Sequence, residues 1–300
     1  MGTPVVGSVS GKLSFADAGT AAASFATAYE FVSESLAAKR TFLDLSGFRG
    51  NLSHPKERCR VGTYTVDGSI SLQPTPTELN YLLERIGGTA ESTDSFVLGA
   101  AGPLEFATLI DRGTKVFLYD GCKIAKATFS SAAGGPLTLG LDIVGKTETV
   151  GNSGTFPSIT PELADPYVHM DSVLTIGGTT YQPRQVDVVI EYTLETDRFL
   201  NSTTRTAIPC VDRKITMVVQ VPYTTDEASL YNAALAGGTG SVVYTNGNTS
   251  LTFTFANIKQ MEQDTPTFGN ARGEVFMNLT FTAFSSGTDK ELVITSDSSE

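Results

Sequence analysis

Histidine is almost absent from this 300-residue chain, cysteine is sparse and tryptophan is missing. The two histidines, His54 and His169, stand apart, and no HExxH or Cys/His cluster is present, so the usual spelling of a zinc site is lacking. Cys59, Cys122 and Cys210 form no CxxC pair and are too few for a disulfide framework, which points to synthesis in a reducing compartment. There is no GxSxG elbow, and neither histidine has the context of a catalytic triad. Gly237-Gly238-Thr239-Gly240 is glycine-rich, but it closes a helical segment and lacks the lysine of a phosphate loop. Clustered basic residues are missing too. Lys and Arg number 21 against 32 Asp and Glu, a formal charge of −11, which leaves no electrostatic footprint for gripping nucleic acid. No apolar run approaches the roughly 20 residues that span a bilayer. Met1-Gly2-Thr3-Pro4-Val5 lacks the basic and apolar regions of a signal peptide, and the expectation is a soluble protein made in the cytoplasm.

What remains is a strand-former's composition. Apolar residues make up 40% and charged residues 18%, with 29 glycines and abundant Ser and Thr, favouring a globular, strand-rich fold. Leu137, Leu139, Leu141 and Ile143 alternate strictly, as do Val186, Val188, Ile190, Tyr192 and Leu194. Ile215, Met217, Val219 and Val221 repeat the pattern, and so do Val275, Met277, Leu279, Phe281 and Ala283. Each run predicts a strand with one buried face. Shorter strands are expected at Thr41–Phe48, Thr63–Val66, Ile70–Leu72, Leu104–Ile110, Lys115–Tyr119, Ser241–Tyr244 and Leu251–Phe255, with Asn246-Gly247 as a tight hairpin turn.

Two short helices are expected at matched places. Thr75-Pro76-Thr77-Glu78 spells a capping box, followed by Leu79, Leu82, Leu83 and Ile86 on one stripe and closed by Gly87-Gly88. Thr224-Thr225-Asp226-Glu227 spells a second box, with Tyr231 and Leu235 inward and Gly237-Gly238 at the end. The order strand, capped helix, hairpin, alternating strand thus occurs twice. Spacings between matched positions are 145 (Val66 to Val211), 149 (Glu78 to Glu227), 134 (Gly113 to Gly247) and 138 (Leu137 to Val275), and such drift belongs in loops. The division expected is an N-terminal arm over 1–39 that a neighbour orders, a first repeat over 40–150, a Gly/Ser/Pro linker over 151–166 and a second repeat over 167–300.

This element order resembles the major tail tube proteins of long-tailed bacteriophages, of the type with two repeats. The parts that carry it are the paired strands Leu137–Ile143 and Val275–Phe284, preceded by Phe117–Ile124 and Phe255–Lys259, and the tail Glu291–Ile294. The resemblance covers about residues 40–297. It implies a mainly β fold with a short α-helix per repeat, built as two tandem β-sandwich or barrel-forming domains. It also implies a structural virion protein, without enzymatic activity or cofactor, that self-assembles into stacked rings as the conduit for DNA ejection. Three subunits, each with two wedges, would satisfy a six-fold closure, and tape-measure and neck or tip proteins would be partners. DNA would pass through the lumen without specific binding. Pro55, Lys56 and Arg58 in one polar loop, and Phe199 and Leu200 in the other, are the candidates for contact between rings. Asp142, Asp187, Glu191 and Glu195 are the acidic candidates for the lumen, where like charge would keep DNA off the wall. A competing reading is a β-sandwich adhesion or decoration protein binding a glycan or capsid surface, which predicts aromatic clusters on exposed loops; Phe48, Phe156 and Phe199 are instead scattered.

Overall fold

The computed structural model describes residues 11–44, 56–76, 78–87, 89–92, 94–98, 102–152, 156–161, 164–223, 228–261, 275–287 and 290–297. Strands dominate. The first part of the chain forms β1 (Lys12–Asp17), β2 (Ala28–Tyr29), β3 (Ser33–Glu34), β4 (Ala37–Asp44) and β5 (Cys59–Leu72). Helix α1 (Leu79–Arg85) precedes β6 (Thr89–Ser92), β7 (Ser95–Val97), β8 (Phe106–Asp111), β9 (Lys115–Ala132), β10 (Thr138–Gly145) and β11 (Thr147–Asn152). Then follow β12 (Ser172–Ile176), β13 (Thr179–Tyr181), β14 (Gln185–Leu194) and β15 (Cys210–Pro222). Helix α2 (Ala228–Ala236) leads to β16 (Gly238–Asn246), β17 (Thr249–Gln260), β18 (Phe276–Phe284) and β19 (Leu292–Asp297).

All these strands join one continuous hydrogen-bonded network, which folds into two layers around a common core. The first layer runs β4-β5-β10-β9-β14-β15-β18, antiparallel throughout. Behind it lie β2-β1-β8-β9-β11 and β13-β12-β16-β17-β19-β7-β6. β9 belongs to both layers: residues 115–122 pair in the second and residues 123–132 in the first. Alternation explains the core. Val186, Val188, Ile190 and Tyr192 on β14, and Met277, Leu279 and Phe281 on β18, are all buried, and Phe129 of the first layer meets Phe253 of the second edge to face at 4.9 Å.

Several local expectations are corrected. Helix α1 starts at Leu79 with Glu78 at its N-cap and no side-chain cap bond, so the Thr75/Glu78 box does not form. Thr75 and Glu78 are both buried, and Thr75 Oγ1 has no hydrogen-bond partner among the described residues; tertiary packing has taken these side chains away from the local amides that would favour capping. The helix does end at Gly87, whose φ of 111° suits glycine alone. In α2, Leu230 and Ala234 face the core with Tyr231 against it, while Leu235 is 45% exposed; residues 224–227 lie outside the described set. The runs at 63–66 and 70–72 are one 14-residue strand, β5.

The segment 12–17, expected within an arm needing a neighbour, pairs along all six residues with the chain's own β8. Leu13 and Phe15 are buried there. Of the expected linker, Gly151 and Asn152 belong to β11, Phe156 is buried and Pro161 bridges to Ala28.

Candidate functional site

The first layer presents one face to solvent across seven paired strands. Its other face is the core, so on each strand the residues between the buried ones point to solvent. These are mostly small hydroxyls and amides. Thr65, Ser69 and Ser71 lie on β5, Thr138 on β10, and Thr128 and Ser130 on β9. Gln185 and Thr193 follow on β14, Thr216 and Gln220 on β15, and Asn278, Thr280 and Thr282 on β18. Gln220 Nε2 donates to Asn278 Oδ1 at 2.9 Å across the β15–β18 pair. Such a surface is hydrated and shallow, and it has no concentrated chemistry.

Its charges nearly balance. Asp142 stands opposite Lys126, Lys126 opposite Glu191, and Glu191 opposite Lys214, a row across four strands that alternates in sign. Asp187 accepts from Ser130 Oγ at 2.5 Å and Gln185 Nε2 at 2.8 Å. With Asp67, Asp212, Lys39, Arg60, Lys123 and Lys259 on the same side by register, the described strands of this face hold five acidic and six basic residues. Three of the four acidic candidates, Asp142, Asp187 and Glu191, therefore share this face. Glu195 is the first residue past the end of β14: its N–H donates to Pro209 O, and its carboxylate pairs with Arg198 at 2.7 Å beside the following loop.

That loop, 195–209, is fastened to the first layer. Arg205, whose side chain is 6% exposed, donates to the carbonyls of Val66 (3.1 Å) and Gly145 (3.0 Å), to Thr196 O (3.1 Å) and to Asp67 Oδ1 (3.0 Å). Tyr64 N–H donates to Thr203 O at 2.7 Å. The tip stays outside: Leu200 is 84% exposed, Phe199 is half-buried and Asn201 takes a φ of 54°. In the other loop Lys56 and Arg58 sit on an exposed 3-10 turn, and Pro55 lies outside the described residues. Phe42 and Leu43 on β4 and Val61 on β5 add exposed apolar surface near this end.

Buried polar groups elsewhere hold structure together. His169 Nε2 faces the Pro183 carbonyl at 3.0 Å, which can only accept, so Nε2 carries a proton; Nδ1 meets Ser131 Oγ at 3.1 Å, and Ser131 meets Tyr244 OH at 2.8 Å. Burial pushes Tyr244 up to about 12, and pushes Tyr192, which donates to Ile86 O at 2.6 Å, up to about 12 despite nearby Arg213. Burial also raises the Cys122 thiol far above its ordinary value, which makes it inert. Among the described residues no group of three or more His, Cys, Asp or Glu could hold a metal ion, and no helix is long and apolar enough to cross a membrane.

Comparison with known proteins agrees with a β-built surface of this kind. The family model described as phage tail tube protein matches residues 56–283, well over half of the chain, and the chain belongs to that family. No curated protein matches it significantly.

Proposed function

We propose that this member of the phage tail tube family forms the tube wall by self-assembly into stacked rings, with the open face of its first layer turned to the lumen through which DNA passes. The observation that carries the reading is that face: one seven-stranded antiparallel layer, hydroxyl-lined, charge-balanced and backed by core on its other side. A wall for a passing polyanion needs no pocket and must not grip phosphate, which requires clustered cations. Lys126 lies between Asp142 and Glu191, so the lysines form no continuous positive track.

Three copies, each supplying two look-alike units, would close the ring. With eight wall strands per copy, counting the end of β17, 24 strands at ~4.8 Å spacing and ~40° tilt give a circumference of about 150 Å, ample for a DNA duplex. The exposed Leu200 tip, Phe199, and Lys56 with Arg58 are suited to contacts between rings; tape-measure and neck or tip proteins would be the other partners, and the virion tail the location. Electron microscopy of the purified full-length chain tests the reading. Rings or tubes of uniform diameter with a central lumen are expected. Persistent monomers at all concentrations and salt conditions would refute it.

A further inference from the structure

A buried histidine ties together parts of the chain that are distant in sequence. His169 lies just before β12; its backbone N–H donates to Gly135 O at 3.0 Å, and Leu137 N–H donates to Tyr167 O at 2.8 Å. Its ring reaches Ser131 on β9 of the first layer, through that serine Tyr244 on β16 of the second, and Pro183 ahead of β14. The seam beside it is the β9–β14 ladder. Ser131 stands opposite Val186 there, and Ala133 N–H prolongs the pairing to Arg184 O at 2.8 Å. Ser131, His169 and Tyr244 are all buried.

The three links of this chain, Tyr244 to Ser131, Ser131 to Nδ1 and Nε2 to Pro183 O, each need one hydrogen. The Pro183 carbonyl only accepts, so the neutral ring carries its hydrogen on Nε2. Ser131 then donates to Nδ1, and Tyr244 donates to Ser131. Three hydrogens fill three links. A second proton on the ring raises the hydrogens to four. Nδ1–H must then donate to Ser131, and one hydroxyl hydrogen of Ser131 or Tyr244 loses its acceptor, since neither has another hydrogen-bond partner among the described residues. No nearby charge offsets the loss. Among the described residues no carboxylate pairs with the ring. Asp187 accepts from Ser130 and Gln185 on the open face, Asp171 is half-exposed in the adjoining turn, and Arg184 lies over Phe276 at 4.6 Å. Tyr167 and Tyr244 are phenols that burial keeps neutral.

We infer that His169 is an acid-operated latch on the seam between the first and second halves of the chain: a second proton on its ring breaks the Tyr244–Ser131–His169–Pro183 chain and loosens β9 from β14 and β16. The latch goes beyond the tube reading and does not depend on it. A buried hydroxyl left without a partner weakens folding by roughly 5–150-fold. The unfolded imidazole takes the second proton freely near its ordinary pKa of about 6.5, whereas the native ring takes it only with this loss, so protons favour the unfolded chain. The stabilisation is complete above that pH and is lost as pH falls below it. One proton limits the loss at pH 5.0 to about 30-fold, and about tenfold is expected.

The test is urea unfolding of the full-length chain at pH 7.5 and pH 5.0, unsubstituted and as His169→Gln, below the concentration at which it assembles. Glutamine offers an N–H to Pro183 and an oxygen to Ser131 but takes no proton, and both chains share His54 and every carboxylate. Between the two pH values the folding constant of the unsubstituted chain should fall about tenfold more than that of the variant; equal falls would overturn the latch. Hydrogen exchange of the unsubstituted chain is the second measure, and it decides if His169→Gln fails to fold. On going to pH 5.0 the amides of Ala133, Leu137 and His169 should lose about tenfold more protection than that of Leu141, in the middle of β10 and paired on both sides. Unchanged protection, or a loss shared equally with Leu141, would overturn the proposal.

Discussion

Arg205 offers the sharpest test of how the second half of the chain is fixed to the first. Its guanidinium sits where β10 ends beside the middle of β5, donating to Val66 O and Gly145 O, two residues that are themselves paired, and to Asp67 and Thr196 O. Arg205→Ala removes five hydrogen bonds to four residues and leaves two strand carbonyls without this donor. Charged hydrogen bonds contribute about 1.5–3 kcal/mol each, but Asp67 is 40% exposed and regains water when its partner is lost. The buried carbonyl contacts therefore dominate, and a loss of about 2–4 kcal/mol is expected, a fall in Tm of about 4–8 °C for a chain of this size. Urea and thermal unfolding below the assembly concentration would measure it. Limited thermolysin digestion should show new cleavage near Phe199 and Leu200. Arg205→Lys keeps the charge but not the fork, and should recover less than half of the loss, whereas Asp67→Asn should cost under about 1 kcal/mol. A loss below about 0.5 kcal/mol for Arg205→Ala, with the loop still protected, would refute the clamp.

Gly68→Ala should destabilise by about 1–3 kcal/mol, because a Cβ there would stand 2.5 Å from Leu36 Cα and 2.6 Å from Ser35 O, both backbone atoms; unchanged denaturant midpoints would contradict this. Tyr192 and Tyr244 are held neutral by burial, each pushed up to about 12 from an ordinary 10.0. Because the folded value is the higher one, their contribution is complete below pH 10 and is lost as pH rises toward 12. Absorbance titration should show phenolate from these two appearing only with unfolding; smooth ionisation near pH 10 with the fold intact would contradict the burial.

The long alternating strands were legible because one face of each is core: β10, β14 and β18 fall where Leu, Val, Ile and Phe recur every second residue. β9 was read only in part. It passes from one layer to the other, and its buried positions change phase at Cys122, so 18 residues of strand do not show one alternation. β1 is too short to announce itself, and only its pairing with β8 explains why Leu13 and Phe15 are buried. Asp142, Asp187 and Glu191 were readable as a solvated face, but their lysine neighbours were not, since cross-strand register is invisible locally. Glu195 is one residue past the end of β14, and its pairing with Arg198 in the following loop is not encoded by the alternation. The Arg205 clamp reaches Asp67 across 138 residues, a contact that no local pattern encodes.

The balance of charge on the open face changes the electrostatic argument for a conduit. A formal charge of −11 per chain suggests a repulsive wall, yet the described face carries cations and anions in near-equal number, interleaved strand by strand. The acidic excess therefore belongs to other parts of the chain, where it favours solubility of the free subunit. Repulsion from a neutral, alternating lattice decays within a few ångströms, since neighbouring charges cancel and salt screens the remainder. What keeps a polyanion moving along such a wall is the lack of any cluster able to release several counterions at once. Lys126→Glu would turn the Asp142–Lys126–Glu191 row uniformly acidic and leave that lack unchanged, whereas paired Asp142→Lys and Glu191→Lys substitutions would create a run of cations with Lys126 and Lys214. On this argument only the second change confers salt-sensitive DNA retention on assembled tubes, and retention by the first, which removes a cation, would refute it.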